Sequence, residues 1–163
     1  MPSERFVDAL NAQIAREFAA AHQYTAIAAY YVGETFPQLA GFFYRQADEE
    51  REHAMKMVNY LLDTDSPVNF TGVDQPRTDF ADHIAPIRLA LEQEKSVTVN
   101  ISELFEVARE TRDYRSEQFL DWFLEEQTEE ESSMTDLLAV AQRTESVPML
   151  LEEYLAREKP GGH

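Results

Sequence analysis

A chain of 163 residues, 44% hydrophobic and 28% charged with only five glycines, is long enough to bury a core and favours an ordered helical protein. It has no cysteine, which excludes disulfides, zinc ribbons, iron–sulfur clusters and thiol chemistry and leaves oxygen and imidazole nitrogen as metal donors. A formal charge of −17 opposes nucleic acid and anionic lipid, and neither a signal-like N-terminus nor an apolar run of ~20 residues is present, so a soluble cytoplasmic protein is expected.

Apolar residues recur at three- and four-residue spacing in four long segments, which predicts an all-α fold. The first helix is expected over about 3–33, with Ser3 as a cap, and carries the stripe Val7, Leu10, Ile14, Glu17, Ala21, Tyr24, Ala28 and Tyr31. A turn with Phe36 and Pro37 leads to the second, about 38–64, with Leu39, Phe43, Gln46, Glu50, His53, Met57 and Tyr60 on one face. Residues 65–80 hold two prolines and read as an extended connection. The third helix, about 82–110, places Pro86 in its first turn and aligns Ile84, Ile87, Leu91, Glu94, Thr98, Ile101, Phe105 and Ala108. The fourth, about 114–143, aligns Leu120, Phe123, Gln127, Glu130, Met134 and Leu137. Pro148 opens a short fifth helix, about 148–158, with Met149, Leu150, Leu151, Tyr154 and Leu155 as its apolar set, and 159–163 reads as a loose tail.

Connection lengths decide the topology. A helix of about 28 residues is ~42 Å long, and about 16 extended residues span ~50 Å. The 65–80 segment can therefore run the length of the bundle, whereas the other links force antiparallel hairpins. The whole chain, 1–163, is expected to form a single domain, a ferritin-like four-helix bundle with one long crossover and a short C-terminal helix.

Each stripe is apolar except near its middle. Glu17, Glu50 with His53, Glu94, and Gln127 with Glu130 interrupt the four stripes at one level, and no basic residue accompanies them. An unpaired buried carboxylate costs several kcal/mol or takes up a proton, so four at one level require a cation between them. An offset of 77 residues relates the two hairpins, matching Glu17 to Glu94, Glu50 to Gln127 and His53 to Glu130. A lone in-stripe histidine is usually a hydrogen-bonded core residue, and His22, off the stripe, His83, at a helix start, and His163, in the tail, read as ordinary.

Carboxylates with one imidazole and no thiolate suit iron or manganese. Three carboxylates around a Glu-x-x-His pair follow the di-iron bundle pattern. Glu50 is the expected bridge, Glu17 and His53 complete one iron position, and Glu94 with Glu130 completes the other. Gln127 stands where an acid is expected and would hydrogen-bond a ligand or a bound oxygen species. Tyr24, seven residues beyond Glu17, reads equally as a hydrogen-bond donor or electron source and as packing; a redox role for Trp122 is a further reading.

These motifs resemble those of bacterial non-haem ferritins, and the similarity covers nearly the whole chain. The resemblance implies a cage of twenty-four subunits that oxidises Fe(II) with oxygen or peroxide and stores a ferric oxyhydroxide core. It implies roles for Glu17, Tyr24, Glu50, His53, Glu94, Gln127 and Glu130 at a two-iron ferroxidase centre, and a third adjacent site with Glu49, Glu126 and Glu129. Bacterioferritins are similar but carry Glu-x-x-His on the fourth helix and a methionine haem ligand after the first motif glutamate. Here the fourth helix reads Gln127-Thr128-Glu129-Glu130 and Arg51 follows Glu50, so no haem is expected. A catalytically inactive structural cage subunit is the reading from another class. Asp113, Glu117 and Asp121 are candidates for iron entry or simply a solvated acidic face, and the apolar fifth helix and residues Val68 to Val73 are expected at subunit contacts.

Overall fold

The computed structural model describes residues 1–158; the tail 159–163, with His163, lies outside them. Five helices follow one another: α1 (Glu4–Gly33), α2 (Pro37–Asp63), α3 (Ala85–Glu110), α4 (Tyr114–Arg143) and α5 (Met149–Arg157). Ser3 caps α1 by accepting from Phe6 N at 3.1 Å, and Pro37 opens α2, where its missing donor has no helical partner to lose. The third helix begins three residues later than the expected 82. The reason is local: Asp82 Oδ1 accepts from the Ile84 and Ala85 amides at 2.9 Å each, satisfying donors that would otherwise need another turn.

Three-residue links join α1 to α2 and α3 to α4. Each link places a non-glycine residue in the left-handed region, Thr35 at φ 64° and Arg112 at φ 53°. In both, the chain doubles back on the preceding helix: Phe36 N donates to Tyr31 O and Asp113 N donates to Ala108 O, each at 2.8 Å. Antiparallel hairpins α1–α2 and α3–α4 result, α1 also packs against α3, and α5 lies on α2.

The crossover spans residues 64–84 and is pinned to α1 at three levels. Asn11 donates to Pro67 O at 3.0 Å and accepts from Asn69 N at 2.8 Å. Gln23 exchanges two hydrogen bonds with the Arg77 backbone, at 2.8 and 2.9 Å. Tyr31 Oη donates to His83 O at 2.5 Å. The connection thus runs beside α1 from one end of the bundle to the other, as its length requires.

The core is divided. One apolar cluster gathers Tyr24, Tyr31, Phe43, Ile87, Met134 and Leu137, with Leu151 of α5 reaching into it. The other gathers Phe6, Leu10, Ile14, Met57, Leu61, Ile101, Leu104, Leu120 and Phe123. Between them lies a layer of buried polar groups from α1 to α4. On α3 the buried stripe is broader than the spacing suggested. Ala90, Val97 and Leu104 are buried, whereas Leu91, Thr98 and Phe105 are half-buried, because α3 faces both α1 and α4.

Candidate metal centre

The polar layer is built by one side chain or pair from each long helix. Glu17, Glu50, His53, Glu94, Gln127 and Glu130 are all at most 4% exposed. Helical periodicity alone brings them inward, since each continues an apolar stripe whose burial rotates the whole face toward the axis.

Among the described residues, Glu17, Glu50 and His53 converge: each offers a ligand atom, and these atoms all lie within 4.8 Å of one another. Both oxygens of Glu50, one oxygen of Glu17 and Nδ1 of His53 are buried and, among the described residues, receive no hydrogen bond from outside the acid cluster. Interior acceptors are almost always satisfied, so this cluster has the donor atoms and spacing with which a metal ion could be held. Glu17 is oriented by a residue that the sequence reading passed over: Gln13, one turn earlier, donates to Glu17 Oε1 at 3.1 Å. Its i−4 position on the same face was the available signal.

Glu94 and Glu130 stand within electrostatic reach of this cluster, but Glu94 is held differently. Tyr24 Oη donates to Glu94 Oε1 at 2.5 Å, and Gln127 Nε2 donates to Glu94 Oε2 at 3.1 Å. Gln127 also donates to the Glu94 carbonyl at 3.0 Å, which locks its amide between α4 and α3. Tyr24 and Gln127 therefore act on the site as donors to a carboxylate. Trp122 stacks edge-on against His53 with ring centroids 5.3 Å apart.

The clustered acids hold one another's protons. Burial, then the neighbouring Glu94 and Glu17 charges, pushes the Glu50 carboxyl well above the usual range. Burial also raises Glu94, against the opposing effect of hydrogen bonds from the Glu50 carboxyl and then from Tyr24 and Gln127. Glu130 is pushed up to about 10, chiefly by burial and then by Glu49 beside it. Burial followed by the Glu94 charge keeps the Tyr24 phenol protonated well above its ordinary value.

Of the three acids assigned to an adjacent third position, Glu49 adjoins Glu130, and Glu126 Oε2 lies 3.9 Å from His53 Nε2. Glu129 is exposed on α4. The expected entry residues are partly engaged elsewhere: Asp113 caps α4 by accepting from Ser116 N at 3.1 Å, and Glu117 pairs with Arg109 at 2.9 Å. Asp121 is exposed.

A helical bundle with one long crossover and an interior carboxylate–histidine layer defines a class, and comparison with known proteins places the chain within it. Residues 7–144 match the ferritin-like domain model, and the chain belongs to the ferritin family. It is 46% identical over 154 residues to the ferritin BfrB of Mycolicibacterium smegmatis, covering 94% of this chain and 85% of the relative. It is 42% identical over 132 residues to a bacterial non-heme ferritin of Staphylococcus aureus, covering 81% of this chain and 80% of that one. A Mycobacterium tuberculosis relative at 46% identity, covering 96% of this chain and 87% of its own length, is named bacterioferritin BfrB. Among solved structures, an open-pore ferritin from Archaeoglobus fulgidus superposes with a TM-score of 0.93 at 29% identity, covering 98% of this chain and 99% of the other.

Proposed function

We propose that this protein is an iron-storage ferritin whose buried carboxylate–histidine layer oxidises Fe(II) for deposition as ferric oxyhydroxide inside a cage of twenty-four subunits. The observation that carries the reading is the convergence of Glu17, Glu50 and His53 with their buried acceptor atoms. Hard oxygen donors with one nitrogen match a first-row divalent ion such as Fe(II).

Two ions are proposed per subunit, as substrate. Glu17 and His53 would bind one, Glu94 and Glu130 the other, and Glu50 would join them. Each arriving cation displaces protons from acids that burial keeps protonated, so the residues exchange one set of positive charges for another inside the core. Gln127 keeps Glu94 in place through its two donated bonds while Tyr24 holds the other oxygen. Glu49, Glu126 and Glu129 are proposed as an adjoining third position that passes iron onward. Oxygen or peroxide is the proposed oxidant, and the cytoplasm the proposed location. No haem is proposed, because Arg51 after Glu50 supplies a guanidinium and no thioether; an absorption spectrum of the purified protein without a Soret band is the expected result.

Stopped-flow oxidation of Fe(II), at about two and then many ions per subunit, tests the activity. Glu50→Ala is expected to abolish the fast phase by removing the bridging carboxylate, and His53→Ala to do nearly the same by removing the only nitrogen. Glu129→Ala is expected to spare the first turnover and slow later ones. Equal fast-phase rates in assembled Glu50→Ala and parent protein would rule out the ferroxidase reading, whatever iron the protein eventually holds.

A further inference from the structure

His53 supplies the only nitrogen in the cluster, yet among the described residues no hydrogen bond fixes its ring. Nδ1 stands 3.5 Å from a Glu50 oxygen without a hydrogen-bond partner. Nε2 stands 3.9 Å from Glu126, beyond hydrogen-bond reach. A metal-binding histidine is ordinarily oriented by a bond from its second nitrogen. Here two aromatic rings from α4 take that place. Trp122 and Phe123 both meet the imidazole at 85°, with centroids at 5.3 and 6.0 Å.

Trp122 is itself only half-buried, so its indole has an exposed side. Lys56 Nζ lies 3.5 Å from the centroid of that indole. Lys56 is on α2, three residues beyond His53, while Trp122 is on α4. One cation thus ties the wall of the imidazole back to the helix that carries the imidazole.

We propose that Lys56 is a positioning residue for the metal centre: its ammonium, seated on Trp122, clamps the indole against His53 and sets the plane of the ring that meets the cation. This rests on the reading that Glu17, Glu50 and His53 bind a divalent ion. In this role Lys56 acts through the indole and is not itself a ligand.

Charge and positioning predict opposite signs. Removing a lysine charge near an anionic site tightens cation binding through space, whereas releasing the clamp loosens His53 and weakens it. Zn(II), which does not oxidise, is titrated into metal-free assembled protein by calorimetry, alongside the emission anisotropy of Trp122, the single tryptophan of the chain. Lys56→Met, which keeps the stem and removes the charge, is expected to weaken Zn(II) binding about threefold, the factor corresponding to ~0.7 kcal/mol for an exposed cation–π contact. Its indole anisotropy is expected to fall. Lys56→Arg, which restores a cation over the ring, is expected to return both to parental values. In a Trp122→Leu background, Lys56→Met is expected to weaken binding no further. Parental or tighter Zn(II) binding by Lys56→Met with Trp122 in place overturns the positioning role while leaving the metal centre standing. A parent protein that binds no Zn(II) at this layer overturns the metal centre and the role of Lys56 together.

Discussion

Glu130 shows how burial turns an ordinary carboxyl into a pH-sensitive element. It is 4% exposed, beside Glu49 and within reach of Glu94 and Glu126, and it keeps its proton up to about pH 10. In the unfolded chain the same group loses its proton near pH 4.3. Between those values the folded metal-free state binds the extra proton, so stability falls as pH rises through that window. Glu130→Gln mimics the protonated form and removes this dependence. Thermal unfolding of the metal-free variant is expected to match the parent near pH 4 and to exceed it at pH 8, by on the order of 1 kcal/mol or more, a few degrees for a chain of this size. A parent whose melting temperature rises between pH 5 and 8 by as much as the variant's would show that Glu130 is not buried as a neutral acid. A bound divalent cation is expected to reverse the trend, because it takes the place of the protons and binds more tightly as they leave.

At the scale of helices, α5 is held by a contact invisible to periodicity. The N-terminus of α2 has no side-chain cap of its own. Glu152 of α5 supplies it, accepting from the Gln38 and Leu39 amides at 2.9 Å each. A carboxylate there meets the positive end of the α2 dipole and two orphan donors. Glu152→Ala is expected to destabilise the protein by about 1 kcal/mol and to speed amide exchange selectively in α5 and the first turn of α2, with Glu152→Gln intermediate. Uniform exchange across the bundle in Glu152→Ala would show that Leu151 alone holds α5 in place. The crossover is decided at the same scale: its composition announces an extended segment, but Asn11, Gln23 and Tyr31 select which helix it follows.

The whole molecule presents apolar groups that a single chain leaves open. Phe70 on the crossover is 66% exposed and Met149 on α5 is 76% exposed. Phe70 and Val73 border a groove of about 480 Å³ between α1 and α2, with Phe18, His22 and Arg51 along it. Surfaces of this kind favour contacts between subunits, and in the proposed cage Phe70 would lie at a pairwise contact where every change is felt twice. Light scattering is expected to find the parent as a large closed assembly. Phe70→Asp is expected to shift it toward small oligomers while leaving the circular dichroism of the helices intact. A parent that scatters as a stable monomer or dimer would eliminate the cage.

The sequence by itself determined the helices, their order and the level of the polar layer. Stripes of three- and four-residue spacing can be buried in only one way, and a long crossover between two short links leaves one topology. Those rules also brought Glu17, Glu50, His53, Glu94 and Glu130 inward, because each sits in register with its apolar neighbours. Tertiary structure decided what each side chain meets there. Periodicity gives a face and a height, but a hydrogen bond depends on side-chain rotamers and interhelical distances that are set only when all four helices pack. So Gln127 donates to Glu94, Gln13 steadies Glu17, and Lys56 covers Trp122. Gln13 and Glu17 at least share a helix face four residues apart, but the pairings of Gln127 with Glu94 and of Lys56 with Trp122 join different helices, and the folded bundle alone distinguishes them.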